Sequence, residues 1–435
     1  MDKQFLSLFF VALLNYVSPQ SRKRYYPEQI HIAPGSEPNS MTVVWVTLDK
    51  APQTLIRFGR ETNRGKLKYW TAVGKKTLFQ YGKNWFYVHY AVMRKLDPVS
   101  QYKYRVGSDA GWSAIYSFNT LPSAGFNESF SMCIFGDLAA GPKGVLTPYL
   151  IDAAREQKFN LIMHTGDIGY DFHRARKGNQ FMNELQEVFA QVPYLIVVGN
   201  HEREPGRSDF YNIRQRFRMP NSVDDSNQFY SFDVGPVHFV VINTELYYSR
   251  DNARDARTQF AWLIDDLQRA RLNFATTPWI VVFQHRPFTC SSGKTDRCPI
   301  SGNDRLRSGA YGVPGPELAY TQFSVDLVFS GHEHLYERFN PMRVTTSDTM
   351  IFDAQNEHQI HNSEGPIHIT TGVAGSPHSL HHFRSIPIPG SIVRIREYGY
   401  TLLTVESSNR LKIEQIAVKR NNEVVDSLTL TKSLL

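Results

Sequence analysis

The chain changes its hydrophobic rhythm once, near residue 130. Before that point apolar and polar positions alternate with a period of two and no helical period: QIHIA, MTVVWVTL, TLIRFG, KYWTAV, FYVHYAVMRKL, QYKYRVGS and AIYSFNT, separated by Gly, Pro, Asn and Asp. Short alternating runs at this spacing predict a β-sandwich of about seven strands over residues 27–121. LPSAGFNES is turn-rich, and residues 122–129 form the predicted linker. Beyond it, apolar, strand-like runs alternate with amphipathic segments: SMCIF then PYLIDAAREQ, NLIMHT then NQFMNELQEVFA, YLIVV, VHFVVIN then RTQFAWLIDDLQRA, PWIVVF, and VDLVFS. This alternation predicts an α/β domain over 130–345, its strands buried on both faces. The β pattern returns in IHITTG, YTLLTV and RLKIEQIAV, which makes 346–435 a β-rich C-terminal part of the same domain.

The N-terminus has a short charged start, an apolar stretch from Phe5 to Val17, and then polar residues. That stretch is too short to cross a bilayer and fits a secretory signal peptide, residues 1–22, cut between Ser18 and Arg24, with a buried or interfacial N-terminal helix as the alternative. With no later run long and apolar enough to span, the expected mature chain is secreted or lysosomal, with no membrane association after cleavage. Cys290 and Cys298 lie in a polar loop at a spacing that suits a disulfide, whereas Cys133 sits in an apolar run as a buried thiol. Asn127 opens an N-glycosylation sequon in the linker. A formal charge of +7 over 435 residues is mild and suits a solvated basic surface at least as well as an anionic substrate, and no Lys/Arg stripe interleaved with aromatics points to nucleic acid. Nothing in the sequence speaks to oligomeric state. In the first region Leu96, Pro98, Tyr102, Tyr104 and Gly107 resemble the corner of a fibronectin type III domain.

Five of the buried runs end in the same way. Gly136 and Asp137 follow SMCIF; Gly166, Asp167, Ile168, Gly169 and Tyr170 follow NLIMHT; Gly199, Asn200, His201 and Glu202 follow YLIVV; His285 follows WIVVFQ; and Gly331, His332, Glu333 and His334 follow DLVFS. In α/β sheets ligands bind beyond the carboxyl ends of the strands, so these residues are expected to converge. Taken singly, a Gly-Asp pair is a turn and a lone histidine is a core or surface residue. Five such ends in one chain make a set of metal ligands. More oxygen and nitrogen donors are present than one ion takes, and Asp167, central in order, suits a bridge between two. Two ions roughly 3.5–4 Å apart form a clamp for in-line attack at phosphorus.

This pattern resembles the metallophosphoesterases and, within them, the large two-domain purple acid phosphatases, over nearly the whole chain. Many metallophosphoesterases carry Asp-X-His at the first strand end; Ala139 stands in that histidine's place, and Tyr170 matches the tyrosine of the purple enzymes. The resemblance implies a fibronectin III-like β-sandwich followed by an α/β domain built as a two-sheet sandwich. It assigns Fe(III) to Asp137, Asp167, Tyr170 and His334, and a divalent zinc, manganese or iron to Asp167, Asn200, His285 and His332. It implies an acid phosphatase that hydrolyses phosphate monoesters by in-line attack of metal-bound hydroxide, with His201 as acid or as hydrogen-bond donor to the phosphate.

Two departures qualify the match. Residue 139 is alanine where the family commonly has glycine, and residues 286–331 lack the histidines with which plant members contact substrate. Arg286, Lys294 and Arg297 are candidate phosphate-binding charges, and His378, His381 and His382 are candidates for the mouth of the site. An exposed loop without a catalytic part is the alternative for these three. The competing readings of the whole chain are a secreted metallophosphoesterase acting on phosphodiesters or pyrophosphates, and a non-catalytic secreted binding protein.

Overall fold

The computed structural model describes residues 24–61, 67–207, 209–293, 304–345, 349–353 and 356–434. The expected signal peptide, Lys294, Arg297 and Cys298 lie outside those residues.

The alternating runs of the first region form two antiparallel sheets. One orders the strands Glu28–Pro34, Met41–Thr47, Asn84–Met93 and Lys75–Tyr81; the other is built on Leu67–Val73, Leu55–Glu61 and Gln101–Ser108, with Gly111–Trp112 and Tyr116–Asn119 pairing to the last. Their inner positions, among them Ile32, Val43, Trp45, Ile56, Tyr104 and Val106, make one buried cluster. The Tyr102 hydroxyl accepts the N–H of Asp97 at 2.9 Å and closes the corner that the sequence pattern suggested. The strand Lys75–Tyr81 was not among the expected ones. Only Phe79 in it is buried, and it stacks on Phe86 of its own sheet at 4.5 Å and on Tyr211 of the following domain at 5.5 Å. Tertiary packing, with no periodic apolar pattern behind it, makes this a strand.

The second region is a sandwich of two seven-stranded sheets. The first runs Tyr194–Ile196, Leu161–His164, Phe130–Phe135, Gly399–Ser407, Arg410–Ala417, Glu423–Thr431 and Gln359–His361. The second runs Tyr230–Val234, Val237–Val241, Trp279–Phe283, Leu327–Ser330, Ile367–Thr371, Tyr336–Phe339 and Ser391–Ile395. The C-terminal β runs thus complete both sheets. Three neighbouring strands of the first sheet and four of the second are parallel, which brings the ends of five chemistry-bearing runs to one rim. Fully buried Val, Ile, Leu and Phe side chains fill the sandwich, each contributing about 1.5–3 kcal/mol through lost apolar surface.

The two domains are bonded directly: Tyr104 donates its hydroxyl to the carbonyl of Ala190 at 2.6 Å, and the N–H of Ile30 reaches Gln186 Oε1 at 3.1 Å. Cys133 is a buried free thiol and Cys290 is buried and disulfide-bonded. Asn127 is exposed in the linker. Among the described residues no helix is long and apolar enough to cross a membrane.

Candidate metal centre

The five strand ends meet. Phe130–Phe135, Leu161–His164 and Tyr194–Ile196 deliver Asp137, Asp167, Tyr170 and Asn200 from the first sheet, while Trp279–Phe283 and Leu327–Ser330 deliver His285, His332 and His334 from the second. The turns off these strands are sharp. Asp137, Asp167, Tyr170 and His332 all have left-handed backbones, with φ between 52° and 67°. Such non-glycine conformations cost of order 1 kcal/mol or more each and gather where a site over-determines them. Two glycines are demanded by crowding. A Cβ on Gly166, whose φ is +95°, would lie 2.6 Å from His285 Nδ1, and one on Gly199 would lie 2.5 Å from Asp167 Oδ1. The motif around His332 and His334 is a bend.

The donor atoms fall into two groups. In one, the Tyr170 hydroxyl is 2.8 Å from His334 Nε2 and 3.2 Å from Asp137 Oδ1, and His334 Nε2 is 3.3 Å from that same oxygen. In the other, His285 Nε2 is 3.1 Å from Asn200 Oδ1, 3.2 Å from His332 Nδ1 and 3.3 Å from Asp167 Oδ1. Asp167, His285 and His332 offer atoms that all lie within 4.8 Å of one another. The carboxylates feel this crowding: burial and the neighbouring Asp167 push the Asp137 carboxyl well up, whereas burial at Asp167 is outweighed by His285 and His201, which hold its carboxyl low. Burial, with Asp137 and Asp167 beside it, also pushes the Tyr170 phenol well above its ordinary range. A cation at the cluster is what would turn that phenol into a phenolate ligand.

The surroundings set which ring nitrogens are free. His285 Nδ1 is 2.8 Å from the carbonyl of Thr165, which can only accept, so the proton sits on Nδ1 and the Nε2 lone pair faces the cluster. At His334, Nδ1 lies 2.9 Å from Ser376 Oγ, whose hydroxyl is donated to the carbonyl of His378; Nδ1 then carries the proton and the Nε2 lone pair again faces the cluster. His332 differs. Its Nε2 lies 2.9 Å from Arg286 Nη1, a group that only donates, so this arrangement keeps the ring proton on Nδ1. A cation at Nδ1 requires that proton to leave. Two of the three histidines are poised as they stand, and the donor set of carboxylates, amide oxygen, phenol and imidazoles fits hard or borderline metal ions.

His201 stands apart from the donor groups. Its side chain is 29% exposed, its Nδ1 is 3.1 Å from Asp171 Oδ1, its Nε2 is 4.0 Å from Asp167 Oδ2, and its ring centroid is 4.7 Å from that of Tyr170. His378, also exposed, lies at the same rim, 6.5 Å from Tyr170 and 6.2 Å from His334 between ring centroids. His381 is buried behind, stacked on His334 at 4.3 Å with Nδ1 2.8 Å from Glu333 Oε2, and His382 is exposed. Arg286 is a committed charge: Nε and Nη2 reach the two oxygens of Glu245 at 2.7 and 2.9 Å, and the guanidinium lies 4.1 Å over Tyr248. Glu202, Asp171 and Glu245 are partners that sequence reasoning left without roles. Glu202 and Asp171 each follow directly on a site residue, His201 and Tyr170, and position was the one signal available for them; Glu245 has no such neighbour.

Parallel strands from two facing sheets that bring Asp, Asn and His side chains together at their carboxyl ends define a metallophosphoesterase domain. Residues 132–336 match a family profile described as calcineurin-like phosphoesterase, residues 27–120 one described as purple acid phosphatase N-terminal domain, and residues 365–427 one described as iron/zinc purple acid phosphatase-like protein C. Acid phosphatase type 7 of Mus musculus is 36% identical, the alignment covering 98% of this chain and 97% of the relative; the Homo sapiens protein of that name is also 36% identical, over 94% and 91%. A solved purple acid phosphatase from yellow lupin seeds superposes with a TM-score of 0.77 at 21% identity, over 94% of this chain and 75% of that one. The chain belongs to the purple acid phosphatase family. It is an acid phosphatase, acts on phosphate esters, and has the binuclear metal centre that the family and fold imply.

Proposed function

We propose that the centre holds Fe(III) at Asp137, Asp167, Tyr170 and His334 and a divalent zinc, manganese or iron at Asp167, Asn200, His285 and His332, and that it hydrolyses phosphate monoesters. The observation that carries this reading is the Tyr170 hydroxyl among the donors, within hydrogen-bonding distance of both Asp137 Oδ1 and His334 Nε2. Two ions so placed supply Lewis-acid stabilisation of the phosphoryl oxygens and an acidified water. The chain's own residues do the rest. Glu202 and the left-handed turns hold the carboxylates, Thr165 and Ser376 fix the ring tautomers, and Asp171 orients His201. With Nδ1–H given to Asp171, a proton on His201 Nε2 is the one presented to a phosphate oxygen or a departing alkoxide.

The apolar N-terminal run and the disulfide-bonded Cys290 support passage through the secretory route, since disulfides persist in oxidising compartments. The exposed Asn127 supports glycosylation of the linker. Metal analysis of the purified protein alongside its visible spectrum, with phosphomonoester hydrolysis followed from about pH 4 to 8, tests the assignment. Iron near one equivalent with a visible band is the expected result. A colourless, iron-free but active protein would sink it.

A further inference from the structure

The N-terminal sandwich carries a charged feature that the phosphatase site does not use. Arg57 and Arg105 are register partners on neighbouring antiparallel strands, and Thr71 is the partner of Arg57 on its other side. Side chains alternate along a strand, so these three share one face, opposite to the face on which Ile56, Phe58, Tyr104 and Val106 enter the core. Trp112 lies against both arginines, its ring centroid 4.6 Å from Arg57 Cζ and 4.8 Å from Arg105 Cζ. A cavity of about 450 Å³ opens here, its lining including the side chains of Arg57, Arg105, Tyr69, Thr71 and Ile115. That volume is within the span of small-ligand sites.

Two like charges directly opposite in a sheet repel, and each guanidinium carries five N–H donors that need acceptors. Among the described residues neither Arg57 nor Arg105 has a carboxylate partner, whereas Arg60 of the same strand is paired with Asp97, and Arg24 with Asp49. Stacking on Trp112 relieves part of the repulsion but satisfies no donor. An anion in the cavity does both. Its shape is constrained as well, because Tyr69 and Ile115 are 53% and 57% exposed and give the cationic floor an apolar rim. An inorganic anion would neutralise the floor and leave the rim bare. A sugar ring bearing sulfate or carboxylate groups engages floor and rim together, through paired N–H···O contacts and through the flat C–H faces of the ring.

We propose that this face of the N-terminal domain binds an acidic oligosaccharide, its sulfate or carboxylate groups on Arg57 and Arg105 and its ring faces on Tyr69 and Ile115. The test is calorimetric titration of the whole protein with a sulfated glycosaminoglycan octasaccharide at about 150 mM salt, where long-range attraction to a basic chain is screened. Saturable binding is expected, weakened roughly tenfold or more in Arg57→Ala/Arg105→Ala. Lys50→Ala/Lys83→Ala removes equal charge from exposed positions of the same domain and should leave affinity unchanged. Both variants should retain parental phosphatase kcat/KM. Equal loss in the control variant, or equal affinity for the desulfated octasaccharide or for a single-stranded DNA of equal charge, would overturn the proposal. Hydrogen exchange on the unmutated protein gives an answer that does not depend on a variant folding. Added octasaccharide should slow exchange at 55–59 and 101–112, and slowing confined to other segments would also overturn it.

Discussion

Glu202 accepts the backbone N–H of Asp167 at 2.8 Å across 35 residues of sequence. The same carboxylate takes the N–H groups of Ile168 and Gly199, each also at 2.8 Å. It thereby ties the loop that carries Asp167 to the loop that carries Asn200. Burial and the neighbouring Asp167 push its carboxyl up, and the three amide donors pull against them. Glu202→Gln replaces an acceptor by a donor that must face at least one of those amides. The expected cost is about 3 kcal/mol of folding stability, with fewer than two metal equivalents retained. Urea unfolding and elemental analysis measure both; parental values in the variant would mean that the loops are held by something else.

His201 and the candidate ligands should separate in mutants. His201→Ala is expected to keep both metals and to slow turnover by about 10² to 10⁴. Asp171→Asn, which weakens the contact that orients the ring, should slow turnover by a smaller factor at unchanged metal content. If elemental analysis finds one equivalent missing from the His201 variant, that histidine is a ligand.

Tyr170 is the residue on which the iron assignment turns. The phenol is buried, and burial together with Asp137 and Asp167 favours its protonated form. Visible absorption in the metal-loaded protein would report that the phenol has ionised against those odds. Tyr170→Phe should abolish the band, and its iron content should fall further than its divalent metal content. A band that survives the substitution would assign the colour to another group.

The strand ends were readable because each is an apolar run broken by glycine or followed at once by a polar side chain, a combination that few purely structural turns require. Asp137, Asp167, Asn200, His285, His332 and His334 meet for that reason, and the parallel order of their strands does the rest. The supporting groups were not readable. Glu202 and Asp171 act through contacts set by the left-handed turns at Asp167 and Tyr170, and a left-handed aspartate looks like any other aspartate in sequence. Arg286 reads in sequence as a charge available to phosphate, but Glu245, from the 3-10 helix Thr244–Tyr248 about forty residues earlier, holds it in a two-point contact. The strand Lys75–Tyr81 escaped because its one buried residue, Phe79, packs partly on the other domain.

Outside the donor cluster, His238 makes a pH signature of its own. Its Nδ1 is 2.6 Å from Asp233 Oδ1 and its Nε2 is 3.0 Å from Asp266 Oδ2, while Asp266 also receives Ser231 Oγ and Arg269 Nη2. Burial works against charge on the ring, but the two carboxylates outweigh it and raise the pKa from 6.5 to about 9. A folded-state pKa above the unfolded one means that the charged ring stabilises the fold fully below about pH 6.5, and that this stabilisation fades as pH rises through about 9. The whole effect is about 3 kcal/mol. Urea unfolding of the parent should therefore weaken between those two values by more than it does in His238→Gln, which has no charge to lose. At mildly acidic pH the parent should be the more stable of the two, and the gap should narrow as the medium becomes alkaline. Parallel stability curves across that window would show that the ring is not held as a cation between Asp233 and Asp266.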